Sequence, residues 1–460
     1  MPGSLTLSTA PENAAASEAP RDGVRGGSPE RRAGAGRPLA RVVVLLIAAG
    51  VLVNVHFAVL ARVLSEAEYG RFVSFVSIVL LISFGGFLPV EQEMARQFQT
   101  GHRGRAVLRS SAVVSVGIAV VAACLVAGLV PWRVPSLADP QILVALLCLC
   151  LVCVVQFLVR GTLIGTGRMT AHGLILLWDA VLRLGFAGIV VAATSAGALA
   201  GGYAIALVAA IAAAHLPALV WVHRLAGRTG ADSGGPTTST RETGGMVGHL
   251  IAGSISSQIL LNAPPILVAA AANAGQADLV GRFAATFTLA RVLLFIVVPL
   301  QSALVPIFTR IAERGVARES RLMAGRIGLG TLAAGAVAAP AAWLAGPWVI
   351  ELVFGPRYAL GGRDAGLMVV GAMLYLGSVV AAQALVGAGQ HRDVGVAWTV
   401  GLLVGVVVFL AVPDLVLRAE LAFASGSAVS LLTAVARLWR SEPRRGARAN
   451  PTPAPEGIRS

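Results

Sequence analysis

Twelve stretches of about 20 apolar residues, separated by short polar connections, constrain this chain more than any other feature of it. A bilayer hydrocarbon core is about 30 Å thick, and a helix rising 1.5 Å per residue crosses it in about 20 residues. The stretches cover residues 41–63, 72–97, 106–130, 140–160, 173–194, 198–222, 246–272, 282–308, 326–350, 364–388, 393–412 and 415–438. Membrane strands would alternate apolar and polar residues over about ten positions, so these runs predict helices and exclude a barrel. The first run is too long for a signal-peptide core and lies behind a long polar tail, which makes it a retained anchor. Only 13% of the 460 residues are charged and 56% are hydrophobic, with a mean hydropathy of +0.80. Soluble domains carry about 25% charged residues, so a soluble globule is excluded. The expected fold is all-α, a polytopic membrane protein of about twelve transmembrane helices.

Residues 1–37 and 439–460 are rich in Ala, Gly, Ser, Pro, Glu and Arg without an apolar period, and are expected to be disordered tails. The longest connection, 223–245, is rich in Gly, Ser and Thr and reads as a flexible linker. It separates an N-lobe (38–222) from a C-lobe (246–438), each of six spans. All 36 basic residues are arginine, and against 22 acidic residues they give a formal charge of +14. Lysine-free usage of this kind fits a GC-rich bacterial genome. The odd-numbered connections hold only Arg62, Arg71, Arg133, Arg282, Arg357, Arg363 and Arg418; the other basic residues cluster in the tails and even-numbered connections. Because Arg-rich connections stay inside, both termini are expected in the cytoplasm, beneath a bacterial plasma membrane. The basic excess is then a topology signal in contact with anionic membrane lipids, and no nucleic-acid partner is needed.

The two halves echo one another. Gly70-Arg71-Phe72 opens the second span and Gly281-Arg282-Phe283 the eighth. Residues 162–168, TLIGTGR, follow the fourth span, and 384–390, ALVGAGQ, follow the tenth. The offsets, about 211 and 222 residues, agree within ordinary loop insertions. With six spans per half, both halves enter the membrane the same way up. This predicts two six-helix lobes related by a pseudo-two-fold axis along the membrane normal, with a cavity between them.

Ionisable groups inside the hydrocarbon cost about 2.5–3.5 kcal/mol each on insertion scales, so they mark functional candidates. Asp179 and Arg183 stand at i, i+4 on the fifth span, and Arg291 on the eighth. Counted along their helices, the two arginines reach similar depth near the midplane. Asp179 and Arg183 can equally be a self-neutralising pair that eases insertion; Arg291 has no acidic residue on its own helix to pair with. The seventh span carries Ser254, Gln258 and Asn262 as one polar stripe, ending at Pro264-Pro265, where a helix break is expected. Asn54 and His56 of the first span pair in depth with Asn262, and packing in the core is the simpler reading of His56. Glu91, Glu93 and Arg96 end the second span near the cytoplasmic interface, either snorkelling or forming a charged rim to the cavity.

Other chemistry is absent or weak. Gly165-Thr166-Gly167 lacks the strand-to-helix context that phosphate cradling needs. Cys124, Cys148, Cys150 and Cys153 lie inside apolar runs, and the last three spread round a helix instead of converging on a metal. No nucleophile elbow or His-Glu-x-x-His pattern occurs, so neither a cofactor nor a catalytic residue is expected.

Residues 62–72, RVLSEAEYGRF, resemble the R-x-L-x-x-x-E-Y-G-x-F connection of bacterial polysaccharide/oligosaccharide transporters. These are the lipid-linked oligosaccharide flippases of the multidrug/oligosaccharidyl-lipid/polysaccharide exporter superfamily. Residues 354–359, FGPRYA, resemble that family's F-G-x-x-Y segment, and 387–390, GAGQ, its following turn. Residues 88–96 fit its habit of ending the second helix in Arg, although Glu91 and Glu93 fall outside the pattern. The resemblance covers residues 40–438. It implies two bundles in a V, flipping a polyprenyl-diphosphate-linked oligosaccharide from inner to outer leaflet for cell-surface polysaccharide biosynthesis by alternating access.

A lipid diphosphate carries about two negative charges, which guanidinium groups bind bidentately. Arg183 and Arg291 are therefore the candidates for holding it, with Asn262, Gln258 and Asn54 beside them, though the family motifs do not fix these positions. Asp179, Glu91 and Arg96 are candidates for coupling or gating. Protonation of Asp179 would release Arg183 and draw on a proton or sodium gradient. A multidrug or cation antiporter of the same superfamily is the alternative, and it would favour unpaired carboxylates over two mid-membrane arginines. A membrane polysaccharide polymerase or ligase would need a sizeable outer loop, and the outer connections are all short.

Overall fold

The computed structural model describes residues 29–193, 199–229, 235–297, 308–311 and 317–440. Residues Met1–Arg41 and Val42–Ser460 form separate units, and the second holds the helices discussed below. Every regular element among the described residues is helical. They are α1 (Pro29–Val63), α2 (Glu66–Gln99), α3 (Gly104–Arg133), α4 (Pro140–Gly165), α5 (Met169–Ala193) and α6 (Ala200–Arg228) in one half. In the other are α7 (Thr240–Ala271), α8 (Ala277–Val297), α9 (Ala317–Phe354), α10 (Gly362–Gly387), α11 (His391–Ala411) and α12 (Leu415–Arg440). Eleven of these are long and apolar enough to cross a membrane. The remaining expected span, 282–308, falls on α8, and its residues 298–307 lie outside the described residues, as do 1–28 and 441–460. The connection after α6 is narrower than composition suggested, because helix persists to Arg228 and resumes at Thr240. Ser239 fixes that restart: its hydroxyl accepts from the Glu242 N–H at 3.2 Å, and the Glu242 carboxylate accepts from the Ser239 N–H at 2.8 Å.

The two halves pack by the same scheme. In the first, α2 packs on α4, α3 on α4, α4 on α6 and α5 on α6; in the second, α8 packs on α10, α9 on α10, α10 on α12 and α11 on α12. Burial repeats likewise. Helices α4, α6, α10 and α12 are largely enclosed, whereas α3, α5, α9 and α11 turn Val120, Leu125, Ile189, Leu344 and Val407 outward. Such a belt is stable only against lipid.

The sequence echoes occupy equivalent places. After α4, the Gly167 N–H bonds the Ile164 carbonyl and the Arg168 N–H that of Leu163; after α10, Gly389 bonds Val386 and Gln390 bonds Leu385. Both glycines have positive φ, +73° and +72°, the left-handed cap that only glycine adopts without strain. Two residues earlier, a methyl on Gly165 would strike Phe98 and one on Gly387 would strike Phe308. Gly70 and Gly281 meet each other, since a Cβ on Gly70 would lie 2.9 Å from the Gly281 nitrogen. The pair brings α2 and α8 together where the two repeats join. The molecule is thus an all-α, two-lobed membrane bundle.

Two local features differ from expectation. Helix α7 runs unbroken through Pro264-Pro265. The prolines do remove two backbone donors, but α2 packs directly on this turn and the Ser74 hydroxyl donates to the Pro265 carbonyl at 3.2 Å. The irregular turn lies instead in α2, where Leu81–Phe87 winds as a π-helix around Gly85-Gly86.

Candidate functional site

Helix α7 packs on α2 and α3 of one lobe and on α11 and α12 of the other, and its polar stripe faces this seam. The Ser254 hydroxyl donates to the Phe84 carbonyl at 2.7 Å, using an acceptor in the π-helical turn of α2. Two turns further along, the Asn262 amide donates to the Gln258 side-chain oxygen at 2.9 Å and to the Gln258 backbone carbonyl at 3.1 Å. Its own oxygen accepts from Arg291 of α8 at 2.9 Å. Arg291, Asn262 and Gln258 therefore form one hydrogen-bonded chain.

Arg291 is 6% exposed, and its guanidinium lies 4.9 Å from the centre of the Phe287 ring. Among the described residues no carboxylate pairs with it, and its other electrostatic neighbour is the Tyr69 hydroxyl of α2. A guanidinium has five N–H donors. Among the described residues it meets one neutral amide and one aromatic face and no carboxylate that would balance its charge, which suits an anion.

The other nominated residues sit elsewhere. Asp179 and Arg183 close on each other through two bonds of 2.7 and 3.2 Å inside α5. Arg183 and Arg291 thus belong to separate lobes, one already neutralised and the other not. The Asn54 amide donates to the Gly50 carbonyl of its own helix and does not join Arg291. His56 is buried with edge-on contacts to Phe57 and Phe72.

Glu91 is enclosed within the bundle. It is 5% exposed, and the Arg160 Nε of α4 lies 2.8 Å from its carboxylate. Arg160 in turn packs over Phe157 and Phe84. Arg96 is half exposed and grips the buried Glu93 through two bonds of 2.6 and 2.8 Å. The Gln97 amide adds a bond to Glu93 and one to Thr243, joining α2 to the start of α7. Arg160 was missed because its position at the end of an apolar run looks like an interfacial anchor, and its partner stands 69 residues away.

A second set of residues, read from sequence only as topology markers, ties the lobes at the end of the bundle away from Arg440. Helix C-termini leave carbonyls without intrahelical donors. Arg357, in the connection after α9, donates to the Ala61 and Leu64 carbonyls at the end of α1, at 3.1 and 2.7 Å. Arg62, at the end of α1, donates to the Leu352 and Val353 carbonyls at the end of α9, at 2.6 and 3.4 Å. Each lobe's arginine caps the other lobe's helix. Tyr358 adds a bond to the Leu64 carbonyl and packs edge-on against Tyr69. A cavity of about 650 Å³ lies within the C-lobe between α9 and α10, lined by Leu322, Arg326, Thr331, Met373 and Val380.

No protein-family model matches the chain. The uncharacterized proteins MT1558/MT1560 and Rv1510, from two strains of Mycobacterium tuberculosis, are each 27% identical to it over 292 residues. That match covers 62% of this chain and 63% of each relative, so the chain spans less than two thirds of the curated relatives it matches. Among solved structures, an inward-facing multidrug resistance MATE family transporter of the MOP superfamily aligns with a TM-score of 0.61 at 14% identity, covering 86% of this chain and 97% of that one. A MOP superfamily transporter from Pyrococcus furiosus, described as having a binding pocket of reverse polarity, aligns at 0.60 and 13% identity over 88% and 96%. The Vibrio cholerae MATE transporter VcmN in its bent form aligns at 0.53 and 15% over 89% and 98%. The chain has the two-lobed helical fold of the MATE transporters of the MOP superfamily.

Proposed function

We propose that this protein is an alternating-access transporter of a bacterial plasma membrane, with both termini cytoplasmic, and that it flips a polyprenyl-diphosphate-linked oligosaccharide from the inner to the outer leaflet. The observation that carries the reading is Arg291, a buried guanidinium at the lobe seam whose partner is an amide and which meets no carboxylate among the described residues. An uncompensated cation at mid-membrane is stable only if an anion or water meets it there, and a diphosphate supplies both the charge and the acceptor geometry. The Arg62 and Arg357 caps then shut the outer end, leaving the substrate to enter from inside. Arg183, Asn54, Glu91 and Arg96 contribute, on this reading, by shaping or moving the N-lobe, since each is engaged within it.

A second reading, a multidrug or cation antiporter, draws on the fold shared with multidrug resistance transporters. Mid-membrane polarity argues against it, because Asp179 is closed on Arg183 while Arg291 meets no carboxylate among the described residues. Deleting the gene separates the two. Accumulation of lipid-linked oligosaccharide on the cytoplasmic leaflet supports the flippase; unchanged glycan with altered drug sensitivity supports the antiporter.

A further inference from the structure

Four carboxylates are buried among the described residues: Glu91, Glu93, Asp179 and Glu420. Three hold an arginine, respectively Arg160, Arg96 and Arg183, each within 2.8 Å. Glu420 differs. It is 1% exposed, and neither of its carboxylate oxygens has a hydrogen-bond partner. It stands in the second turn of α12, about 8 Å from the end of the bundle that the arginine caps close.

The charged groups that act on Glu420 come from both sides of it: Asp364 and Arg363 at the start of α10, and Asp414 ahead of α12. Arg363 is already bound to Asp364 at 2.8 Å. Asp414 caps α12 through the Leu417 N–H at 2.8 Å. Arg418, nearby in sequence, lies over Phe409. The Arg418 Nε has no hydrogen-bond partner, but Arg418 is not among the groups that act on Glu420; Glu420 therefore faces two carboxylates and one cation, Arg363, that is already bound. An ionised carboxylate removed from water without a partner costs several kcal/mol, and like charges nearby add to that cost. The architecture does not require an acid here, since the corresponding turn of α6 carries Tyr203, Ala204, Ile205 and Ala206.

We propose that Glu420 is a proton-binding site of the C-lobe. In the closed arrangement described here its carboxyl is protonated. When α10, α11 and α12 part and water enters from the outer end, the carboxyl O–H bond breaks, the proton passes to water, and the carboxylate left behind faces the Arg363 side of the cleft. This gives the transporter its coupling ion at a carboxylate that is unpaired, in place of Asp179, which is not. The site itself stands on geometry; only its use in driving transport rests on the transporter reading.

The test needs no transport substrate. The full-length protein in phosphatidylethanolamine/phosphatidylglycerol vesicles is treated with dicyclohexylcarbodiimide, which adds to protonated carboxyls in apolar surroundings to leave an N-acylurea, and the adducts are mapped by peptide mass. The expected result is that Glu420 carries most of the label at neutral pH, that the label falls about tenfold per pH unit once the site titrates, and that replacing choline chloride with sodium chloride changes nothing. Glu420→Gln should lose the label and flatten the pH dependence of the thermal midpoint. Absence of label on a recovered Glu420 peptide at every pH overturns the proposal. Protection by sodium at fixed pH also overturns it, assigning the site to a metal cation instead.

Discussion

A buried arginine and a buried aspartate–arginine pair respond to mutation in opposite ways, and that contrast separates the two mid-membrane arginines. Removing one member of a closed pair strands a charge, at about 3–5 kcal/mol, whereas removing both is close to neutral. Asp179→Asn or Arg183→Gln alone should therefore lower the thermal midpoint of the purified protein, and the double variant should restore it. Arg291 has no acid to strand among the described residues, so Arg291→Ala should leave stability and membrane abundance near wild type while abolishing export of lipid-linked glycan. Arg291→Lys should retain partial export, because it keeps the charge and loses the planar fork. Normal export by Arg291→Ala would make the residue structural. The sequence pointed to Arg291 because the apolar run around it, 282–308, holds no acid, Asp278 standing in the first turn of the helix and 13 residues away; the structure brings it to Asn262, which in turn holds Gln258. Glu91 was harder to read. Its partner Arg160 lies on another helix, and no local spacing announces an interhelical pair.

Between elements, the sequence signal was strongest where repeats meet. Gly70 and Gly281 sit in matching Gly-Arg-Phe triplets, and their contact gives those triplets a physical cause: α2 and α8 approach too closely for a side chain. A leucine at 281 would overlap the Glu66 carbonyl, and overpacking of this kind costs about 1–3 kcal/mol in the closed arrangement only. Since 1.4 kcal/mol is tenfold in an equilibrium, Gly281→Leu should raise the ratio of open to closed at the outer end by about fivefold to a hundredfold. Removing the reciprocal caps with Arg62→Ala and Arg357→Ala should act in the same direction. A cysteine placed at Val280 in a chain stripped of its four native cysteines reports both effects, through its rate of modification by a membrane-impermeant thiol reagent added outside. Unchanged rates in both variants would mean these contacts do not hold the outer end shut. The caps were not legible beforehand, because Arg62 and Arg357 bind backbone carbonyls, and any sequence supplies those. Pro264-Pro265 misled for a related reason: whether a proline pair breaks a helix depends on what packs against it, and here α2 does.

Across the whole molecule, helix number, lobes and internal symmetry follow from apolar run length and two short echoes, because a bilayer leaves the backbone so few alternatives. Orientation is a separate question that helix packing does not answer. It rests on arginine placement: the caps at Arg62 and Arg357 lie at the end poorer in arginine, while Arg96, Arg103, Arg105, Arg168, Arg224, Arg326 and Arg437 gather at the end where α12 finishes. A bundle inserted the other way up would carry that arginine-rich face across the membrane, against the bias that sets topology. A fluorescent protein fused after residue 460 should therefore fold and fluoresce, and a secreted phosphatase fused there should be inactive; the same phosphatase inserted at 360, between α9 and α10, should be active. The reverse pattern would place Glu420 and the arginine caps on the cytoplasmic side. Substrate would then meet Arg291 from outside, and the direction of transport proposed above would fail with it.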